Sequence, residues 1–304
     1  MIYLKVVFLG TSGSMPTTER GSSSVVVKRG RELLMFDCGE GTQRQMLGAH
    51  IGFQRSMKIL ISHLHGDHVL GLPGLLQSMS LMRREKPLHI YGPPDLVDYI
   101  KAFSDSLGGP MFPVIIYEIK EPGIIFESDE YSLVTVEAKH RDTAWSYGLF
   151  EAPRPGRFHP ENARRLGIPE GELWGKLQRG ESIELNGKKI HPDQVCDPMR
   201  PGRRIIYSGD TSPNESLMKI SKKADILIHE ATFLDELSER AAEDGHTTAL
   251  QAAEFAKKAN VELLVLTHIS SRYPDPEMIK AEAEKIFSNV LVAKDFMELD
   301  LHLK

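Results

Sequence analysis

Apolar positions follow two rhythms along this chain. Short runs of β-branched or long apolar residues open it, at Lys5 to Leu9, Ser24 to Val27, Leu33 to Phe36 and Lys58 to Ile61. They are separated by glycine-bearing turns such as Gly10-Thr11-Ser12-Gly13 and Cys38-Gly39-Glu40-Gly41. Runs of that length between turn residues predict strands. A helical spacing takes over at Gly74 to Arg84 and at Asp95 to Ser106, with a strand-like Leu88 to Tyr91 between them. Tyr131 to Ala138 and Trp145 to Phe150 again read as strands. After a long interruption come the strand runs Arg204 to Tyr207, Asp225 to His229 and Leu263 to Leu266, and amphipathic helices at Leu234 to Glu243, Ala249 to Ala259 and Pro276 to Phe287. Strands followed by helices, twice over, predict an α/β protein built as an αββα sandwich, two sheets face to face with helices outside.

The interruption spans residues 150–203. Pro153, Pro155, Gly156, Pro160, Gly167, Pro169, Gly171, Gly175 and Gly180 break every periodic run in it, so it is expected to protrude as a flexible arm inserted in a single domain of residues 1–304. A loop of this length is usually functional or disordered. With 304 residues and 41% apolar content, one sizeable core is expected.

Charge narrows the partners. The formal net charge of −5 argues against a broad basic face for nucleic acid, so any grip on RNA has to be local. Between Arg154 and Arg179 the cations Arg154, Arg157, Arg164, Arg165, Lys176 and Arg179 outnumber the acids Glu161, Glu170 and Glu172, which makes the arm the place to expect phosphate contacts. A solvated loop without a partner is the plainer reading. Cys38 and Cys196 are too few for a disulfide scaffold and are both expected in the core of a protein from a reducing cytoplasm. Met1 to Gly10 lacks a basic leader pattern, and no stretch approaches the roughly 20 apolar residues of a membrane span, so a soluble protein without membrane contact is expected.

The candidate chemistry centres on His63-Leu64-His65-Gly66-Asp67-His68, which follows a strand and precedes a glycine-rich helix start. Imidazole and carboxylate donors suit zinc, and a strand-to-helix loop lets neighbouring side chains converge. His63 and His65 are placed to face one ion, Asp67 and His68 a second about 3.5 to 4 Å away. Three more strand runs end in candidates, His140, Asp210 and His268. A single His or Asp after a strand is more often a cap or a surface residue; together with the first motif these three gain weight. Asp210 is the natural bridge, because one carboxylate can serve two ions.

Several words of this sequence resemble the metallo-β-lactamase superfamily, and more closely its ribonuclease Z branch, over nearly the whole chain. They are Phe8-Leu9-Gly10-Thr11-Ser12-Gly13, the stretch Phe36 to Gln45, the His63 to His68 motif, Tyr207-Ser208-Gly209-Asp210-Thr211, His229-Glu230-Ala231-Thr232-Phe233, Gly245-His246-Thr247-Thr248 and Leu266 to Tyr273. The resemblance implies a metallo-β-lactamase-type sandwich holding two zinc ions, one on His63, His65 and His140, the other on Asp67, His68 and His268, with Asp210 between them. It implies an endoribonuclease that removes the 3′ trailer from precursor tRNA, acting as a homodimer in which the arm of one subunit grips the tRNA cut by the other. It also assigns Asp67 a second duty, orienting or deprotonating the attacking water, whose pKa two cations lower from about 15.7 toward neutrality. The departing ribose 3′ oxygen needs a proton from an acid that works near pH 7. His246, just ahead of the helix at Ala249, fits, with Glu230 orienting its ring. The bland alternatives are a cap neighbour for His246, with Thr247 as the cap, and an ordinary strand-end charge for Glu230; His229 reads as structural. Ser270, Arg272 and the arm cations are the candidate substrate contacts, while Gly10 to Ser14 is equally a plain turn.

Two other classes use part of these features. A small-molecule ester or thioester hydrolase of the same superfamily shares the metal motif but needs neither a basic arm nor His246. A non-catalytic tRNA-binding or scaffold protein has no use for seven convergent donors.

Overall fold

The computed structural model describes residues 3–303; Met1, Ile2 and Lys304, the ends of the expected single-domain span, lie outside the described residues. Two seven-stranded sheets lie face to face. The first runs, in spatial order, Glu298–Asp300, Leu4–Gly10, Ser24–Arg29, Glu32–Phe36, Ser56–Leu60, Leu88–Gly92 and Val114–Glu118. The second runs Val290–Val292, Leu263–Thr267, Ile226–Glu230, Arg204–Tyr207, Trp145–Glu151, Tyr131–Glu137 and Gly123–Glu127.

Alternation along each strand explains the layering. Val6 and Phe8 face the second sheet and join Val27, Phe36, Leu133, Tyr147, Ile205 and Val265 in the central core. Val7 and Leu9 point the other way, into the layer formed with the helices Gly71–Leu81 and Leu96–Leu107. Ile206, Leu227 and Leu264 do the same on the second sheet, under the helices Ala249–Ala259 and Glu277–Glu284. Both faces of these strands are covered, which is why their sequences read as continuous apolar runs rather than strict alternation. The expected αββα sandwich is what forms.

Details depart from the pattern. The expected helix at Gly74 to Arg84 lies earlier, at Gly71–Leu81, and that at Leu234 to Glu243 shortens to Ser238–Asp244 behind a single 3-10 turn at Asp235–Leu237. Four strands of the two large sheets went unread, Val114–Glu118, Gly123–Glu127, Val290–Val292 and Glu298–Asp300. All four close an edge of a sheet, where only one neighbour contributes packing and the apolar signal is diluted. Cys38 is buried as expected, but Cys196 is only half-buried.

Segment 151–203 is not the pattern-free stretch its glycines and prolines suggest. It holds two short helices, Pro160–Arg165 and Glu172–Gln178, and a hairpin of Ile183–Leu185 with Lys188–Ile190. Ala163, Ile168, Leu177, Ile183, Ile190 and Val195 form a small core of their own. Each helix is too short to show a period, so the packing was invisible to a sliding pattern.

Candidate metal centre

Ser56–Leu60 of the first sheet and the mutually parallel strands Arg204–Tyr207, Ile226–Glu230 and Leu263–Thr267 of the second deliver their carboxyl ends to one rim. From those ends hang the His63 to His68 loop, Asp210, Glu230 and His268. His140 comes from the loop after Tyr131–Glu137, which is pinned to the Asp210 loop: the Lys139 N–H donates to Thr211 Oγ1 at 2.9 Å and the Ser212 N–H to the Lys139 carbonyl at 2.8 Å. The structure thus brings together all seven candidate donors, in overlapping groups: His63, His65 and His140; His63, His68 and Asp210; Asp67, His68 and His268; and Asp210 and His268 with His246. Asp37 and His268 both adopt left-handed backbone, at φ 58° and 56°. Such conformations cost about 1 kcal/mol or more for non-glycine residues and persist where the surroundings over-determine them.

One nitrogen of each histidine is tied to the protein and the other faces inward. The Asp37 carboxylate accepts from His68 Nδ1 (2.7 Å), Tyr207 (2.7 Å) and the Ser62 N–H (2.6 Å) and hydroxyl (2.9 Å). Since Ser62 spends its proton on Asp37, its oxygen receives that of His63 Nδ1 at 2.9 Å. His140 Nδ1 donates to the Gly245 carbonyl at 3.0 Å, His268 Nδ1 to Thr232 Oγ1 at 2.8 Å, and His65 Nε2 to Asp142 at 2.8 Å. These partners fix the tautomers and leave a lone pair on each inward nitrogen.

The inward atoms are crowded in a way that only a cation or a proton between them resolves. His68 Nε2 and His268 Nε2 face each other at 3.3 Å, and His140 Nε2 and His65 Nδ1 at 3.4 Å. His63 Nε2 is buried with no hydrogen-bond partner. An Asp210 oxygen lies 3.3 Å from His68 Nε2, 3.2 Å from His268 Nε2 and 3.8 Å from His63 Nε2, so it touches both groups. The same Asp67 oxygen is 3.2 Å from His268 Nε2 and 3.4 Å from His68 Nε2, and accepts from the Ser14 N–H at 2.8 Å. Nitrogen and carboxylate donors converging like this fit a pair of divalent ions.

The electrostatics agree. Burial and the neighbouring imidazoles push His63 well below its ordinary value, keeping a neutral donor. Burial works upward on Asp67 and Asp210, yet the adjacent histidines outweigh it and hold both as carboxylates. Burial also opposes a charge on His68, but Asp210, Asp37 and Asp67 outweigh it and raise its pKa; that proton leaves when a metal takes its place.

His246 stands at the edge of the cluster, its Nδ1 4.0 Å from Asp210 and 3.0 Å from Glu230. Glu230 is buried and accepts at one oxygen from His246, the Thr211 N–H (3.2 Å) and the Thr247 N–H (2.9 Å), and at the other from the Thr232 N–H (3.0 Å) and hydroxyl (2.8 Å). Burial alone lowers the His246 pKa, but the Glu230 charge and hydrogen bond prevail and lift it to about 9. Thr232 passes the hold of Glu230 on to His268, so one carboxylate orients two rings. The helix cap is Thr248, not Thr247: its side chain and that of Gln251 satisfy each other's backbone N–H groups. His229 is buried, its Nδ1 2.7 Å from the Glu230 carbonyl and its ring centroid 5.3 Å from that of Phe255.

At the rim, Ile269–Ser270 pairs in parallel with Ser12–Gly13, which joins the Gly10 to Ser14 turn to the His268 loop. Arg272 is exposed, donates to Ser270 Oγ at 3.1 Å and lies over the Phe233 ring. Among the arm candidates, Arg164 pairs with Glu170, Lys176 with Glu172 and Arg179 with Glu181, while Arg157 and Arg165 are exposed and Arg154 lies in the stem against Arg200. The carboxylate partners of Arg164, Lys176 and Arg179 all belong to the arm itself. The sequence reading missed Asp37, Asp142 and Thr232 as partners of the histidines. Asp37 stood inside a quoted motif; nothing along the chain marks Asp142, 77 positions from His65.

Fold and donor cluster define a metal-dependent hydrolase of the metallo-β-lactamase class. The ribonuclease Z of Methanosarcina acetivorans is 46% identical over 303 residues, covering 98% of each chain, and that of Archaeoglobus fulgidus is 42% identical over 301 residues, covering 98% of this chain and 97% of its own. The chain belongs to the ribonuclease Z family, as its motifs suggested. Human tRNase Z, short form, superposes with a TM-score of 0.72 at 29% identity, covering 97% of this chain and 98% of its own. Family models described as "Beta-lactamase superfamily domain" and "Anti-Pycsar protein Apyc1" match residues 196–269 and 4–151. No helix among the described residues is long and apolar enough to cross a membrane.

Proposed function

We propose that the chain is a zinc-dependent endoribonuclease that hydrolyses precursor tRNA after the discriminator nucleotide, leaving a 3′-hydroxyl on the tRNA and a 5′-phosphate on the trailer. The observation that carries this reading is the His246–Glu230 pair beside a two-part donor cluster, in a member of the ribonuclease Z family.

In this reading His63, His65 and His140 would hold one zinc ion and Asp67, His68 and His268 the other, with Asp210 within reach of both donor groups. Two such ions, when bound, would supply a nucleophile at neutral pH and neutralise charge on the phosphoryl oxygens. Asp67, fixed by the Ser14 N–H, orients the attacking water and draws on its proton. His246, its Nδ1 engaged by Glu230, delivers a proton from Nε2 to the departing ribose 3′ oxygen. Arg272 and Ser270 sit beside His268 on the rim, where they meet a backbone phosphate. Arg154, Arg157, Arg164, Arg165, Lys176 and Arg179 belong to a substrate-gripping arm within a single 1–304 domain. A homodimer in the cytoplasm, each arm serving the partner's cleft, completes the reading; size-exclusion chromatography with light scattering tests the dimer.

The deciding experiment incubates the protein with zinc and a tRNA transcript carrying a 3′ trailer without CCA, and maps the product ends. One cut after the discriminator supports the reading. No cut, with bis(p-nitrophenyl) phosphate still hydrolysed, sinks it in favour of a small-molecule esterase.

A further inference from the structure

The ends of segment 151–203 lie at the pole of the sandwich opposite the metal centre. Trp145–Glu151 starts beside the donor loop, where the Trp145 N–H donates to the Ser62 carbonyl at 2.9 Å, and runs away from it. Arg204–Tyr207 returns from that far pole toward Asp210. Three charged side chains meet there. Glu151 is the last residue of the outgoing strand, Arg203 precedes the returning one, and Arg29 ends Ser24–Arg29 of the other sheet. Their side chains are only 6%, 4% and 5% exposed.

Their geometry links both roots of the segment to the body. Arg203 grips Glu151 with two nitrogens, at 2.6 and 2.9 Å, and donates a third hydrogen bond to the Leu301 carbonyl at 2.7 Å. Arg29 reaches Glu151 at 3.2 Å and Glu130 at 2.8 Å. Beyond this knot the two legs run as a narrow stem: the Glu151 N–H donates to the Arg203 carbonyl at 3.0 Å, and Arg154 and Arg200 exchange both backbone hydrogen bonds at 2.8 Å. Gly202 and Gly156, one on each leg, press on the opposite leg so closely that an added Cβ would stand 2.0 Å from the Glu151 and Asp197 carbonyl oxygens.

A buried ion network is a poor way to gain stability, since apolar side chains of like volume often do as well or better. What it does supply is direction, because a bidentate guanidinium–carboxylate pair tolerates only one relative orientation. We infer that Arg29, Glu151 and Arg203 are positioning residues that fix the direction in which the arm leaves the body, and so set how tightly precursor tRNA is held without touching RNA or metal. The inference rests on the reading of 151–203 as the substrate-gripping arm.

Three variants of the full-length protein test it: Glu151→Gln, Arg203→Lys and the apolar set Arg29→Met, Glu151→Leu and Arg203→Met, which replaces the whole buried network. Each is expected to raise KM for precursor tRNA on the order of 10-fold or more, with kcat/KM for bis(p-nitrophenyl) phosphate and bound zinc unchanged. The apolar set, which leaves no buried charge unpaired, is expected to keep the parental Tm while KM for precursor tRNA still rises, which a merely structural role would not produce. Unchanged precursor KM in all three, or a proportionate loss on both substrates, overturns the inference. The triple substitution Arg164→Ala, Arg165→Ala, Lys176→Ala separates the two layers of the argument. If it leaves precursor KM unaltered, the arm reading falls and the inference with it; if it raises KM where the three root variants do not, only the inference falls.

Discussion

The metal cleft and segment 151–203 are organised on opposite principles. In the cleft, partners come from far apart in the chain: His68 with Asp37 and His268, His65 with Asp142, Tyr207 with Asp37. In the segment several are close, Arg164 with Glu170, Lys176 with Glu172 and Trp174 with the Ile168 carbonyl, and the more distant pair of His159 with Asp197 also lies within it, around a small core of six residues. The cleft is over-determined by the whole sandwich, whereas the segment folds on itself and meets the body through a stem two strands wide. Damage in one is therefore expected not to spread to the other.

The sharpest break comes from Asp210→Ala, which removes the carboxylate shared by both donor groups. It should lower turnover of precursor tRNA and of bis(p-nitrophenyl) phosphate alike, on the order of 10⁴-fold or more, with metal content by mass spectrometry falling in parallel. His246→Ala sharpens the picture inside the cleft. It should retain bound metal and slow tRNA cleavage by roughly 10² to 10⁴, but affect the activated ester little, since p-nitrophenolate departs without a proton; an unchanged tRNA rate would remove His246 from the mechanism. Asp37→Asn keeps every candidate ligand and loosens the hold on His68, Ser62 and Tyr207, so a drop of about 10- to 100-fold in metal affinity is expected by competitive chelation. On the other side of the comparison, Leu177→Ala should destabilise the arm core by about 2 to 5 kcal/mol. Hydrogen exchange should quicken across 158–196 and not in the sandwich, and hydrolysis of the small ester should be untouched.

Much of this site was readable one residue at a time because its chemistry clusters at strand ends. The His63 to His68 loop carries its spacing within one turn of chain, and His140, Asp210 and His268 each close an apolar run. Glu230 and His246 stood out through the need for an acid, not through any pattern joining them across 16 positions. Asp142 carried no signal, for a short polar residue in a loop looks the same whether or not a ring lies beside it; Thr232 stood inside a quoted motif, but nothing there marked it as the partner of His268. The Arg29–Glu151–Arg203 network was equally silent, since charges at strand ends are ordinarily solvated.

What the sequence by itself determined is the layered sandwich and the inventory of donors, because hydrophobic periodicity and ligand type are local properties of the chain. Only the tertiary structure decided which nitrogen of each histidine faces inward, which cap holds the helix after His246, that the broken stretch after Glu151 has a core, and how it is rooted. Those outcomes depend on hydrogen-bond partners brought from distant positions, and a partner's identity is a property of where two strands meet, not of either strand alone.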